Sequence, residues 1–175
     1  MRVFIAAELP LELIEALAET QAQLRSCMQG RYVGTDQMHV TLAFLGSVNA
    51  SDVYELSDAL EAACARHRPF NLELAELGSF GRRNKAALWQ GFDISPEFER
   101  LARDVRFELS LRGYSFDTKR FLPHVTLMRN ADIRSGQLPS PVRAIGAIEY
   151  VTLFSSDLSG PHPVYEALHR VCLSE

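Results

Sequence analysis

The chain has 175 residues, 47% of them hydrophobic and 23% charged, which fits one sizeable domain or two small, intimately packed lobes and excludes a disordered chain. A formal charge of −4 excludes a protein that coats long nucleic acid, because that mode needs a broad basic face to displace counterions, and leaves a short or terminal phosphate ligand open. The opening stretch, an apolar run broken by Glu8, is too brief for a secretory hydrophobic region or a membrane span, which predicts a cytoplasmic protein with no membrane partner.

Residues 2–9 read as a strand. Pro10 follows as a first-turn helix residue, and Leu13, Ile14, Leu17, Leu24 and Met28 form the apolar stripe of a helix stopped by Gly30. A strand carrying His39 comes next. Val53, Leu56, Leu60 and Cys64 share one side of a further helix over 53–67, which leads into an alternating strand at 70–77. Gly81 to Asn84 is the expected crossing to a second half. There, 86–94 again reads as a strand, Ser95 as an N-cap and Pro96 as the first helical residue; Phe98, Leu101, Val105 and Leu109 make the stripe, and Gly113 the stop. The strand with His124 follows, then a loop over 129–141 and strand-like runs at 142–154 and 164–173.

The tetrapeptide His-Val-Thr-Leu occurs at 39–42 and again at 124–127, an offset of 85 residues. The helix-starting prolines are 86 apart and the helix-stopping glycines 83 apart, so punctuation and motif repeat together. The chain therefore reads as a single bilobal domain, residues 1–175, built from two copies of one plan at roughly 1–80 and 85–175. The fold class expected is α+β: two mainly antiparallel sheets facing a central cleft across a pseudo-two-fold axis, with helices on the outer faces. A bilobal monomer of this kind already holds a complete site, so a monomer is expected.

In a strand, His39 and Thr41 share one face while Val40 and Leu42 share the other; His124 and Thr126 repeat the pattern. Related by a two-fold, the two imidazoles flank a common point from opposite sides. That arrangement suits in-line displacement at phosphorus, where a proton acceptor serves the attacking oxygen and a donor the leaving one. With an ordinary pKa near 6.5, one ring can be neutral and the other protonated around neutral pH. Thr41 and Thr126 can donate to the phosphate oxygens, where charge sits in the transition state. Phe44 and Arg129, five residues after each histidine, lie off that face unless the strand twists or bulges. With a bulge, the two could sandwich a base, or Arg129 could grip phosphate; without one, Phe44 is a core aromatic. The competing reading of the repeated tetrapeptide is packing alone.

Other candidates carry less. Cys27, Cys64 and Cys172 have no metal-type spacing and read as small apolar residues in a reducing compartment. No acidic or histidine neighbour stands at ligand spacing from the motifs, so neither a metal nor a cofactor is expected. Basic clusters at Arg82, Arg83, Lys85 and at Lys119, Arg120 offer a confined positive site or plain surface. His67 reads as surface, His169 as packing or exposed, and His162 as part of a surface turn within reach of a cleft.

With "RVFIAAELP" at the start, "HVTLAFLG", "LGSFGRR", "PHVTLMR" and the closing "LFSSDLSGPHPVYEAL", the sequence resembles the two-histidine (2H) phosphoesterase superfamily. Within it, the resemblance is to the RNA 2′,3′-cyclic phosphodiesterases historically called 2′-5′ RNA ligases, and it covers nearly the whole chain. It implies a bilobal fold with the site between lobes, no required metal, and hydrolysis of 2′,3′-cyclic phosphates on RNA termini or small nucleotides to 2′-phosphomonoesters. By motif position, His39 matches the proton donor to the departing 3′ oxygen and His124 the base that activates water. Thr41 and Thr126 match phosphate-oxygen ligands, and Arg129 the basic residue after the second motif. In "FGRRNKAAL" the sequence departs from relatives that have proline after the Gly-Arg pair, which leaves any substrate contact from Arg82 or Arg83 open. Competing functions are 2′-5′ ligation by the same site, hydrolysis of 2′-5′ oligoadenylates, and a noncatalytic module that binds RNA ends. A binding module has little need for two titrating groups on opposite sides.

Overall fold

Prolines, serines and glycines punctuate the chain much as their chemistry dictates. The computed structural model describes residues 1–134 and 137–174. In chain order these form β1 (Arg2–Glu8), α1 (Leu11–Arg25), β2 (Arg31–Tyr32), β3 (His39–Ser47), α2 (Val53–Cys64), β4 (Phe70–Phe80), β5 (Ala86–Phe92), α3 (Pro96–Leu111), β6 (His124–Ala131), β7 (Ile145–Ile148), β8 (Tyr150–Asp157) and β9 (Val164–Cys172). Ser95 caps α3 by accepting from the Phe98 N–H at 3.2 Å, with Pro96 directly inside the cap. Gly113, at φ 78°, turns the chain out of the same helix.

Helix α1 ends at Arg25, short of the expected Met28. The Cys27 and Met28 amides fold back onto the Leu24 carbonyl at 3.0 and 2.8 Å, so Met28 stays buried in a tightened turn that aims Arg31 and Tyr32 along β6. Helix α2 likewise stops at Cys64, where the His67 amide closes a turn onto the Cys64 carbonyl ahead of Pro69. The 142–154 run divides at Glu149 into β7 and β8, which join different sheets. Strand β6 continues to Ala131, so the expected loop begins at Asp132; its Ser135 and Gly136 lie outside the described residues.

Every strand pairing is antiparallel, in two sheets ordered β3-β1-β8-β9 and β2-β6-β5-β4-β7. Each sheet takes strands from both halves of the sequence. Residues 81–84 are the turn of the β4–β5 hairpin, so the junction between the repeated copies lies inside the second sheet. The helices are exchanged as well: α1 follows β1 of the first sheet but packs on β7 of the second, and α3 follows β5 of the second but packs on β3 of the first. Helix α2 lies against α3 and covers β8 and β9. One continuous apolar cluster joins these layers, and truncating one of its fully buried leucines, such as Leu17 or Leu101, costs about 2–5 kcal/mol by cavity formation.

His67 is not on the surface: its ring is buried, with Nε2 3.0 Å from Asp104 Oδ2, and it ties the end of α2 to α3. His169 is half-buried and pairs with Glu61 at 2.9 Å. Among the described residues no helix is long and apolar enough to cross a membrane.

Candidate active site

The two motif strands run close alongside each other, one from each sheet. In both, the first residues alternate as the pleat requires: His39 and Thr41 are half-buried while Val40 and Leu42 are buried, and His124, Val125, Thr126 and Leu127 repeat this. The alternation then breaks at the same place in each. Ala6 pairs with Thr41 and Ile5 with Ala43, leaving Leu42 without an opposite residue on β1; Trp89 pairs with Thr126 and Leu88 with Met128, leaving Leu127 without one on β5. Such a bulge shifts the side-chain parity by one. Leu42 and Ala43 are therefore both buried, as are Leu127 and Met128, and Phe44 and Arg129 return to the histidine face. Of the two strand geometries the sequence left open, the bulged one is present.

His39, Thr41 and Phe44 from the first sheet and His124, Thr126 and Arg129 from the second line one cavity of about 510 Å³. The six sequence candidates are thus brought together. Both imidazoles are held alike: Nδ1 of His39 lies 2.7 Å from the Gln37 carbonyl, and Nδ1 of His124 lies 2.7 Å from the Leu122 carbonyl. A carbonyl only accepts, so Nδ1 carries the proton in each ring and Nε2 is the lone-pair atom of the neutral form. Aromatic rings fix the ring planes. Phe4 stands 4.9 Å and Tyr165 5.4 Å from His39 between centroids; Phe80 stands 5.1 Å and Trp89 5.6 Å from His124.

Burial among these rings pushes His39 down from 6.5 to about 4, against its carbonyl hydrogen bond; the nearby charges of Arg129 and His124 push the same way. His124 is also lowered, first by burial and then by Arg129. Both shifts favour the neutral imidazole, so the proton that an acid would need is disfavoured at either ring. The Arg129 charge is felt at both histidines, as a group placed to grip phosphate between them would be.

The cavity's basicity was not legible as clusters. Arg2 and Arg31 line it beside Arg129, together with His162, and among the described lining residues there is no carboxylate, on a chain whose net charge is −4. Arg2 stacks on the Phe44 ring at 5.3 Å, and Arg31 is paired opposite Arg129 in the β2–β6 ladder. None of Arg82, Arg83, Lys85, Lys119 or Arg120 reaches it; Arg83 instead bonds the Ile133 carbonyl, and Lys119 pairs with Asp117. His162, on the β8–β9 loop, is exposed and also lines the cavity, its loop pinned where Gln37 Nε2 donates to the Pro163 carbonyl at 2.6 Å. Among the described residues no group of three or more histidine, cysteine or carboxylate side chains is placed to hold a metal ion.

Gly78 of β4 lies opposite Trp89, whose ring occupies the space a β-carbon would need. Gly78→Ala is expected to push that ring off His124 and lower kcat about tenfold through misplacement of the imidazole. Trp89 is the one tryptophan of the chain, so a shift of its fluorescence reports the displacement, and unchanged emission with unchanged kcat refutes it.

The family described as LigT like Phosphoesterase matches residues 8–89 and 93–165. The RNA 2′,3′-cyclic phosphodiesterase of Escherichia coli K12 is 31% identical over 175 residues, covering 99% of this chain and 97% of that protein. A protein of the same name from Geobacillus stearothermophilus is 34% identical over 154 residues, 87% of this chain, which spans 48% of that longer protein. Among solved structures, TT0787 of Thermus thermophilus matches with a TM-score of 0.84 at 28% identity, and E. coli LigT complexed with 3′-AMP with 0.82 at 30%, each over 99% of this chain and 98% of the other.

Proposed function

Because the chain belongs to the LigT-like phosphoesterase family, we propose that it hydrolyses 2′,3′-cyclic phosphates at RNA or nucleotide ends and leaves 2′-phosphomonoesters. The observation that carries this reading is the pair of equally anchored imidazoles lining one carboxylate-free cavity. The cyclic phosphate monoanion enters with its phosphorus between the rings. Arg129 and the hydroxyls of Thr41 and Thr126 bind the non-bridging oxygens, while Phe44 with Arg2 offers a flat surface for a base. His124 Nε2 takes a proton from water as its oxygen bonds to phosphorus, the P–O3′ bond breaks, and His39 Nε2 gives its proton to the departing 3′ oxygen. Proton exchange with solvent restores both rings.

Burial holds His39 down at about 4, so it acquires its proton together with the anion, whose charge offsets that burial. The E. coli relative has been solved with 3′-AMP, NADP+ and ATP, which supports a nucleotide-sized ligand here. Both motifs come from one chain, as a monomeric enzyme would need, and the free Cys27, Cys64 and Cys172 fit the reducing cytoplasm. Ligation through a 2′-5′ linkage is the same displacement of the 3′ oxygen, with an RNA 5′-hydroxyl replacing water as the attacking group.

Incubating the protein with nucleoside 2′,3′-cyclic monophosphates in excess chelator is expected to release the 2′-monoester. Release of the 3′-monoester would exchange the bridging oxygen that leaves, and tight binding of an intact cyclic phosphate would make the chain a binding module.

A further inference from the structure

Gln21 and Arg106 are separated by 85 residues, the same offset as the two histidines, and neither touches the cavity. Gln21 is buried on α1 and its Nε2 donates to the Leu127 carbonyl at 2.8 Å. Arg106, half-buried on α3, donates through Nε to the Leu42 carbonyl at 2.9 Å. Leu42 and Leu127 are the bulge residues that follow the His-Val-Thr of each motif. Each helix thus reaches the motif of the other half of the chain. The same two side chains also bind the segment leading to their own half's motif: Gln21 Nε2 donates to the Val33 carbonyl at 2.8 Å and Arg106 Nη1 to the Lys119 carbonyl at 3.1 Å.

We propose that Gln21 and Arg106 are a pseudo-symmetric pair of positioning residues that hold the two bulges through which Arg129 and Phe44 enter the site. A bulge takes one residue out of register with its ladder, and its carbonyl needs a donor from elsewhere. A side-chain N–H from a packed helix supplies that donor at a fixed place along the strand, so a parity shift falls at Leu42 and at Leu127, directly before the residues it turns into the site. Asp117 reinforces the first bulge, its N–H donating to the Phe44 carbonyl at 3.0 Å, and Val33 the second, its N–H donating to the Leu127 carbonyl at 2.9 Å. Guanidinium and amide differ in charge but share what the role requires, an N–H at the end of a side chain long enough to reach the strand. The inference rests on the reading that Phe44 and Arg129 contact substrate.

Arg106→Met is expected to raise KM for a nucleoside 2′,3′-cyclic monophosphate about tenfold with kcat within about threefold, the pattern of lost binding with intact proton transfer. Arg106→Gln, which installs the donor used in the other half, is expected to recover most of that loss. In a Phe44→Ala background, Arg106→Met is expected to add nothing, because the two act through one group. Gln21→Leu is expected to weaken inhibition by inorganic phosphate about tenfold, an effect absent in an Arg129→Met background. A folded Arg106→Met with wild-type KM, or losses that simply add to those of Phe44→Ala, overturns the proposal. Should Gln21→Leu fail to fold, the half-exposed Arg106 carries the test alone. If Phe44→Ala itself leaves KM unchanged, the substrate-contact reading has failed instead, and a crystal structure of Arg106→Met decides the bulge: Leu42 still unpaired with Phe44 in the cavity refutes the pairing of roles, and continuous register supports it.

Discussion

His39→Ala and His124→Ala are each expected to lower kcat/KM for a nucleoside 2′,3′-cyclic phosphate by ~10²–10⁴-fold, the usual contribution of one positioned acid or base. Neither change removes a proposed phosphate ligand, since Arg129, Thr41 and Thr126 still line the cavity, so inhibition by inorganic phosphate is expected to persist in both variants. The acid and the base act in one displacement, and the double variant is therefore expected to fall little below the weaker single. The roles separate on a 3′-thio cyclic substrate, whose thiolate departs without a proton. Activity on it is expected to return in His39→Ala and not in His124→Ala; the opposite pattern would exchange acid and base, and full activity of either variant on the ordinary substrate would remove the histidines from the chemistry.

The motif strands were legible because a strand has period two: His and Thr two apart must share a face, whatever the fold around them. The bulges also left a trace in the sequence. Leu42-Ala43 and Leu127-Met128 are consecutive apolar residues directly after an alternating run, and two neighbours cannot share one face of a flat pleat. Arg2 and Arg31 left no such trace. They enter the cavity because β1 lies beside β3 and β2 beside β6, and sequence spacing does not say which strand lies beside which. Arg82 and Arg83 mislead for the converse reason: neighbours on a hairpin turn concentrate charge in the sequence, but their side chains do not line the cavity. The repeat gave the plan of each half but not the exchange of helices between sheets, since α1 and α3 carry apolar stripes that could cover either one. That exchange is what lets each half's helix reach the other's bulge.

The kcat/KM profile is expected to reach its plateau on the acid side of 6.5 and to fall tenfold per pH unit above it, about a hundredfold between pH 6.5 and 8.5. The parameter kcat/KM reports the free enzyme, and there the acid, His39, loses its proton at about 4, while the base, His124, loses its own below 6.5. Above both values, each unit of pH costs a further factor of ten in charged His39, with no compensating gain of base. The loaded enzyme differs because the bound phosphate anion favours both imidazolium forms, so the kcat profile is expected to lie at higher pH than that of kcat/KM. Stability moves the other way. His39 has a folded pKa below its unfolded value, so its neutral, buried state stabilises the fold fully above about 6.5, and that contribution drains away as pH falls toward 4. Initial rates at low pH must therefore be paired with recovery of activity on return to pH 7. A kcat/KM that stays flat or rises from pH 6.5 to 8.5 would overturn His39 as an acid that loses its proton well below 6.5 in the free enzyme.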